Sequence, residues 1–242
     1  MISSNDPVSR TRKHASSNVI AIDGPAASGK SSTAHWVAER LGYRHIDSGA
    51  VYRAATAAAM HSKQVPDLWT EEIVLASAAS IVLRERGDSF EPVLQGVAFE
   101  ELIRGLDVTH NVSRVARMPG VRMWVNDTVR AAAEDYDVVV DGRDIGTVVF
   151  PNADLKIFLV ADSWERARRR LTQRLSRRPS DAEIAAETEL LVQRDARDAM
   201  QTVQASDAVL VDTTYLTQEE QVERIVALAH AVTQRASDTS PR

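Results

Sequence analysis

The sequence predicts an α/β protein in which a central parallel sheet of five strands is flanked by helices. Short β-branched segments alternate along the chain with longer segments of helical periodicity, which is typical of a parallel sheet wound with helices. Two of the segments, "DVVVDG" and "LKIFLV", are continuous apolar runs and indicate strands covered on both faces. The hydrophobic content of 44% in 242 residues is enough for a sizeable core.

The first part of the chain is predicted to form two strand–helix pairs and a further helix. The β-branched residues 19–22 lead into Asp23, and apolar residues recur at helical spacing over residues 30–41. Gly42 stands where that helix is expected to end. The elements predicted next are a strand over residues 43–47 and helices over residues 48–62 and 71–79.

The middle of the chain departs from this alternation. Two strand-like segments flank the turn signal Gly87-Asp88, which predicts an antiparallel hairpin over about residues 80–100, outside the parallel plan. Helical patterns resume at about Ser113, and Pro119 is expected to open a new helix. The last predicted elements are a helical region over residues 163–204 broken near Pro179, a strand over 208–212 and a helix over 217–234.

Composition excludes several classes of protein. The formal net charge of −5 argues against a chain built as a whole to bind nucleic acid or an anionic membrane. The absence of cysteine excludes disulfides and thiolate metal sites and fits a reducing compartment. No apolar run approaches the roughly 20 residues that span a bilayer, and no secretory signal is evident. Residues 1–17 and 236–242 are expected to be flexible tails.

A glycine-rich segment lies between the first predicted strand and the first predicted helix. The segment "GPAASGKS" fits the phosphate-binding pattern G-x-x-x-x-G-K-[ST], and an accidental Gly/Ser-rich turn is the alternative. Its amides and the helix N-terminus bind phosphate, Lys30 reaches the β- and γ-phosphates, and the Ser31 hydroxyl can ligate Mg²⁺. The predicted ATP-binding residues are Gly24, Pro25, Ala26, Ala27, Ser28, Gly29, Lys30, Ser31 and Ser32. A guanine-reading Asn-Lys-x-Asp segment of a switch GTPase is absent from the sequence.

Arginines follow the ends of predicted strands, where ligands of α/β sheets bind. Arg53 comes after the second strand and Arg143 after "DVVVDG", while Arg194 and Asp198 are spaced to share a helix face. Because a guanidinium matches phosphate oxygens in a bidentate way, converging arginines indicate a second phosphate site. Each one alone has an ordinary alternative: a solvated helix residue, a loop salt bridge or a surface ion pair.

Seven arginines stand between Arg166 and Arg178. A solvated helix face is one explanation, and a nucleic-acid patch is another, although few aromatic residues are interleaved. A mobile lid that closes arginines over the phosphates of ATP is the explanation we favour for some of them.

Taken together, "DGPAASGKSS", "IDSGAVYRA", "DGRDIGTVVFPNADLKIFLVAD", "ERARRR" and "RDARDA" resemble the bacterial cytidylate kinases. The resemblance covers roughly residues 19–230. It implies a P-loop nucleoside monophosphate kinase that transfers phosphate from ATP to CMP or dCMP with Mg²⁺ in the bacterial cytoplasm, as a monomer with no nucleic-acid or membrane partner. It also implies one kinase domain over residues 18–235, with a monophosphate-binding part over about 48–135, a β-rich insert at 66–110 and a lid at 170–194.

Site residues are carried over from the family by motif. The resemblance places Ser48 and Arg53 in the monophosphate site, with Arg53 on the phosphate. It places Ser113, Arg122 and Asp144 on the cytosine edge. The remaining implied residues are Arg143 and Arg194 on the phosphate side and Asp198 on the sugar hydroxyls, and the implied catalytic set is Lys30, Arg143, Asp144 and Arg194. No dedicated strong base is expected, while Asp144 or Asp23 can orient a water or the metal.

One segment departs from the family pattern. Gln201 stands where the family has an arginine, and the following Ser-Pro-Leu is missing. A neutral glutamine makes weaker bonds to phosphate than an arginine does, so affinity for CMP and the choice among pyrimidines are open. The alternatives are a kinase of UMP or another small acceptor on the same core, and a nucleotide-switch protein that binds RNA without turnover.

Overall fold

The computed structural model describes residues 17–62, 64–98 and 100–239 and contains one continuous sheet. The strands are β1 (Val19–Asp23), β2 (Arg44–Asp47), β3 (Ile81–Arg86), β4 (Ser89–Leu94), β5 (Val97–Ala98), β6 (Val138–Gly142), β7 (Leu155–Val160) and β8 (Val209–Asp212). Their order is β3-β4-β2-β6-β1-β7-β8, and β5 pairs with β4. Strands β2, β6, β1, β7 and β8 run parallel to one another, which confirms the predicted parallel core.

The predicted hairpin over residues 80–100 exists as β3 and β4, but it is not an excursion from the sheet. Strand β4 lies parallel to β2, with His45 paired to Ser89. The His45 amide also donates to the Asp88 carbonyl at 2.8 Å. The outer edge of β2 has backbone groups that need partners, and the hairpin supplies them. The sheet therefore has eight strands rather than the five expected.

Most helices lie where the sequence predicts them, but the short helix α4 was not predicted and three other helices differ in their bounds. They are α1 (Lys30–Leu41), α2 (Ser48–Met60), α3 (Glu71–Ala78), α4 (Glu100–Ile103), α5 (Leu106–Val115), α6 (Pro119–Ala133), α7 (Ser163–Leu175), α8 (Asp181–Asp198) and α9 (Gln218–Thr239). Helix α5 begins before the expected Ser113 because Gly105 already serves as its N-cap. Helix α8 ends at Asp198, before the expected residue 204. Helix α9 continues past residue 234, since residues 235–240 include no glycine or proline that would end it.

Two apolar layers cover the two faces of the sheet. One layer includes residues of α2, α5 and α6, and the other includes residues of α1 and α9. In β6 the side chains alternate between them, since Val138 and Val140 pack in the first layer and Val139 packs in the second. This arrangement confirms that the apolar strands are covered on both faces.

A third, smaller cluster joins the helix pair α7–α8 to the loop that follows β1. Ala26 of that loop packs with Ala167 and Leu171 of α7 and with Ile184 and Leu191 of α8. The break near Pro179 separates the two helices, and Ser180 caps α8 with a reciprocal bond to Glu183. In the described part of the chain no helix is both long and apolar enough to cross a membrane.

Candidate active site

The phosphate-binding segment forms the predicted strand–loop–helix, from β1 through Gly24 to Lys30 at the start of α1. The Lys30 side chain is buried, and its Nζ donates to the Pro25 carbonyl at 3.1 Å. Burial lowers the pKa of Lys30 to about 7, and the charge of Arg143 adds to this effect. An ammonium group held so unfavourably is stabilised by an incoming anion.

Two cavities meet at this loop. The larger, of about 1340 Å³, extends from the loop to α7 and to the segment after β8. The smaller, of about 220 Å³, lies between the loop, α2, α5 and α8. The residues that line both cavities are Ala27, Lys30, Ser31, Asp47, Arg104 and Arg170. Lys30 therefore stands at the boundary where groups bound on the two sides come together.

The smaller cavity concentrates positive charge. Arg53, Arg143 and Arg194, which the sequence places in three separate segments, all line it. Burial, together with the charges of the neighbouring Arg143 and Arg53, lowers the pKa of Arg194 to about 10. Burial likewise lowers the pKa of Arg53. Like charges that are packed together and desolvated in this way define an anion site.

The arginines of this cavity keep unused hydrogen-bonding capacity. Among the described residues, the buried Nε atoms of Arg143 and Arg194 have no hydrogen-bond partner. Asp198 Oδ2 lies 3.6 Å from Arg143 Nη2 and from Arg194 Nε, a distance at which it compensates charge without a hydrogen bond. Arg53 donates to Thr109 Oγ1 at 3.2 Å. The free donors fit a ligand with several acceptor oxygens.

The other predicted acceptor-site residues lie in or beside the same cavity. Ser113 is buried and lines it. Ser48 is bonded instead to the Asp141 carbonyl, at 2.8 Å. Arg122 and Asp144 form an ion pair beside it, and the Arg122 guanidinium lies 6.0 Å from the ring of Tyr52, which does line the cavity. The structure therefore brings the predicted residues together, with Ser48, Arg122 and Asp144 one layer behind the wall.

Two residues that the sequence singled out are not among those that line the two cavities. Gln201 lies in the turn after α8, where its amide donates to the Asp198 carbonyl at 3.0 Å. Asp23 ends β1 and is buried. Its two carboxylate oxygens accept the amides of Ile145 and Gly146 at 2.9 and 2.8 Å.

Acidic groups form the floor between the cavities. Asp47 Oδ2 accepts the Ser31 hydroxyl at 3.3 Å, while Asp47 Oδ1 caps α2 through the amide of Ala50. Behind it, Asp141 is buried and lies 2.8 Å from His45 Nε2. Burial raises the pKa of Asp141; burial lowers that of His45, but the bond and charge of Asp141 raise it by more. Sequence reasoning missed both aspartates as site residues, although each ends a parallel strand.

The arginine-rich segment is neither a uniformly solvated face nor a patch of unpaired charge. Arg166 is buried, and Arg169 donates to the carbonyls of Thr213 and Thr214 at 2.6 and 3.0 Å. Further pairs with acids are Arg168 with Glu165, Arg170 and Arg174 with Glu187, and Arg177 with Glu183. Arg168, Arg169 and Arg170 line the larger cavity. These contacts argue against the nucleic-acid alternative.

The larger cavity also contains a segment that sequence reasoning missed. Residues 214–218 follow β8 and line the cavity opposite the phosphate loop, with Tyr215 95% exposed. In the sequence, the position of these residues directly after the last predicted strand was the signal for a ligand site, since a segment after a parallel strand lies at the ligand edge of the sheet.

Fold and site together define the class of protein. A phosphate-binding loop between β1 and α1, with one cavity on each side and a cluster of arginines in the second, is the architecture of a P-loop kinase. The model of the cytidylate kinase family matches residues 20–231. The chain belongs to the cytidylate kinase family.

Curated relatives support this membership over most of the chain. A protein of Lactiplantibacillus plantarum named cytidylate kinase is 42% identical over 230 residues, which are 91% of this chain and 96% of that protein. One of Geobacillus kaustophilus with the same name is 44% identical over 218 residues, covering 87% and 96% of the two chains. One of Chlorobaculum tepidum, also so named, is 37% identical over 226 residues.

Proposed function

We propose that this protein transfers the γ-phosphate of ATP to CMP or dCMP and so forms ADP and CDP or dCDP. One observation carries the proposal beyond family membership: Lys30 lines both the cavity of the phosphate loop and the arginine-lined cavity. A phosphate donor and a phosphate acceptor bound on the two sides of Lys30 place their reacting groups together. The alternatives of an RNA-binding switch or another acceptor have no observation in their favour.

The donor is assigned to the larger cavity. The amides of the phosphate loop and Lys30 hold the phosphates of ATP, and the segment after β8 with α7 encloses the rest of the nucleotide. Helices α7 and α8 contain the predicted lid, and Arg170 is its arginine nearest to both sites because it lines both cavities. Arg169 serves differently, since it holds the backbone of the segment after β8.

The acceptor is assigned to the smaller cavity. Arg53, Arg143 and Arg194 hold the phosphate of CMP, whose charge relieves their mutual repulsion. Ser113 faces the base side, with the Arg122–Asp144 pair behind it, and Asp198 accepts the sugar hydroxyls while it compensates Arg143 and Arg194. Ser48 supports this wall through its bond to Asp141. The turn that contains Gln201 follows Asp198 directly, so Gln201 adjoins the sugar side.

The residues at the loop fit a magnesium ion. Ser31 and Asp47 present a hydroxyl and a carboxylate 3.3 Å apart beside the phosphate loop, and Mg²⁺ binds through one or two carboxylates together with substrate phosphates. Among the described residues no group of three or more acidic, histidine or cysteine side chains is placed to hold a metal ion, so the substrate has to supply further ligands. When bound, Mg²⁺ neutralises charge on the transferring phosphates.

The chain contributes positioning and charge to the transfer. An oxygen of the CMP phosphate attacks the γ-phosphorus, and the bond from that phosphorus to the β,γ-bridging oxygen breaks. The bridging oxygen stays on the β-phosphate of ADP with its negative charge. Lys30 and the arginines stabilise the negative charge of the transferring group. An intermediate on the protein is not required. We also propose a cytoplasmic monomer, with ATP and CMP or dCMP as its partners.

Release of ADP from ATP–Mg²⁺ with CMP, dCMP, UMP, AMP and GMP in turn tests this proposal. We expect rapid turnover with CMP and dCMP only. Turnover that extends to UMP would show that the base side around Ser113, Arg122 and Asp144 is permissive. Absence of turnover with all five acceptors would overturn the kinase assignment, and salt-dependent RNA binding would then favour the switch alternative.

A further inference from the structure

Two charged side chains of α7 and α8 hold the backbone of a single residue of the phosphate loop, Ala26. The Ala26 amide donates to Asp195 Oδ1 at 3.1 Å, and the Ala26 carbonyl accepts from Arg166 Nη1 at 2.7 Å. The same Arg166 Nη1 lies 2.7 Å from Asp195 Oδ2, which closes a ring of three residues. None of the sequence motifs assigned a role to Asp195, and Arg166 was only one of a run of arginines.

The backbone next to Ala26 has an unfavourable conformation. Ala27, directly after it, has a φ of +58°, a left-handed value that non-glycine residues adopt at a cost. The carbonyl bonded by Arg166 belongs to the peptide that leads into Ala27. A charged hydrogen bond at this point opposes rotation of the peptide out of the phosphate-binding form.

The pair also connects the loop to its surroundings. Arg166 is 6% exposed, and its Nε donates to the Ala161 carbonyl at 3.1 Å, just beyond β7. Asp195 follows Arg194, so adjacent residues of α8 serve the acceptor cavity and the phosphate loop. The Ala26 side chain packs in the apolar cluster of α7 and α8. The loop is therefore tied to both helices by charge and by packing.

We propose that Arg166 and Asp195 are positioning residues that keep the phosphate loop in its ATP-binding conformation. The inference rests on the proposed function, because it assigns the loop to the donor nucleotide. It implies that loss of the pair weakens ATP binding more than CMP binding, because Arg53, Arg143 and Arg194 remain in the acceptor cavity, which Ala26 also lines. Since both side chains hold the backbone of Ala26 and bond each other, the two losses are not additive.

The variants Asp195→Asn, Arg166→Met and the double variant test the proposal. We expect each single variant to raise the dissociation constant of ATP by about ten-fold or more, which is the loss typical of a bond to a charged group. The double variant should bind ATP with the same dissociation constant as the single variant that binds it less tightly. The KM for CMP should rise by a smaller factor than the dissociation constant of ATP does, because Arg53, Arg143 and Arg194 remain in the acceptor cavity. The ¹H–¹⁵N signal of the Ala26 amide should move upfield in Asp195→Asn, which a purely structural role does not require.

Arg177→Met is the matched control, because it removes an arginine that pairs with Glu183 at the far end of α7 and α8. It should leave ATP binding unchanged. Equal losses for ATP and CMP, or a lower melting temperature with unchanged ATP affinity, would overturn the proposal. If Arg166→Met does not fold, Arg166→Lys replaces it, since the single nitrogen of a lysine cannot bond Ala161 as Nε does and also Ala26 and Asp195 as Nη1 does. Calorimetry measures ATP binding without an acceptor. If the wild-type protein binds ATP but does not phosphorylate CMP, the proposed function is refuted and the proposal for Arg166 and Asp195 is not.

Discussion

Gly24 joins β1 to the phosphate loop in a position that only glycine fits. Its φ is +154°, and a Cβ built there would lie 2.3 Å from the carbonyl oxygen of Leu159 in β7. Because that oxygen belongs to the backbone of a paired strand, it cannot move aside as a flexible side chain can. The close approach of loop and strand therefore depends on the missing side chain.

We expect Gly24→Ala to lower the free energy of unfolding much more than Gly42→Ala does. Gly42 ends α1 at a φ of +69° with no atom within 4 Å of a Cβ, so its substitution costs only the left-handed strain of about 1 kcal/mol. Gly24→Ala adds a steric clash, for about 2 kcal/mol more. Urea denaturation of both variants measures the difference, and equal losses would contradict the clash.

Asp23 is buried as a carboxyl group under the loop that bears Arg143 and Asp144. Burial raises its pKa to about 6, although the bonds from the amides of Gly146 and Ile145 lower it. The raised pKa means that the folded protein holds this proton more tightly than the unfolded chain. Stability from this proton is present below the ordinary pKa of 3.8 and is lost as pH rises through about 6.

The stability of the wild type relative to Asp23→Asn should therefore decrease between about pH 4 and pH 6, by on the order of 2 kcal/mol. The asparagine of the variant does not titrate, so the variant serves as the reference for the wild type at each pH. Free energies of unfolding at pH 4.5, 5.5 and 7 measure the effect. A constant difference across these three values would contradict a buried, protonated Asp23.

At the scale of elements, the helix pair α7–α8 is held together by a buried acid. Glu187 of α8 is 5% exposed and lies 3.0 Å from Arg170 Nε and 3.2 Å from Arg174 Nη2 of α7. The Arg177–Glu183 pair connects the same region but stands in solvent. Buried charge networks cost far more to break than exposed pairs do.

We expect Glu187→Gln to lower the local stability of α7 and α8 by roughly 1–3 kcal/mol, because two arginines lose their common charge partner. Arg177→Met should change it by less than about 1 kcal/mol. Hydrogen exchange of the amides of α7 and α8 reports this opening separately from the sheet. Unchanged exchange in Glu187→Gln would show that apolar packing alone holds the pair.

At the scale of the whole molecule, an acidic protein maintains a cationic cavity at a cost in stability. The formal net charge is −5, yet Arg53, Arg143 and Arg194 converge on one cavity with Asp198 as a shared partner. The lowered pKa values of Arg194 and Arg53 are the sign of this cost. Bound phosphate recovers it, so the strain in the free protein is useful for binding.

In phosphate-free buffer, Arg194→Met should therefore have a larger free energy of unfolding than the wild type, by on the order of 1 kcal/mol. The same variant should lose phosphoryl transfer to CMP. Arg177→Met, an exposed position, should stay within about 0.5 kcal/mol of the wild type. A free Arg194→Met protein that is less stable than the wild type would mean that Asp198 already compensates the cluster in full.

Much of the fold and part of the site could be predicted from sequence. The bounds of α1 were predicted correctly, because Lys30 begins its periodic pattern and Gly42 ends it. The start of α5 and the end of α8 were not, since weak local signals at both places leave the decision to packing. Arg53, Arg143 and Arg194 were chosen correctly as residues that share a cavity, because parallel strands end at one edge of the sheet.

What the sequence by itself determined is local: the alternation of strands and helices, the phosphate loop and the identity of the arginines. These follow from the spacing of neighbouring residues. Only the tertiary structure decided that the hairpin joins β2 and that Arg166 and Asp195 meet at Ala26. A charged side chain finds its partner through the packing of distant elements, and spacing along the chain carries no record of that choice.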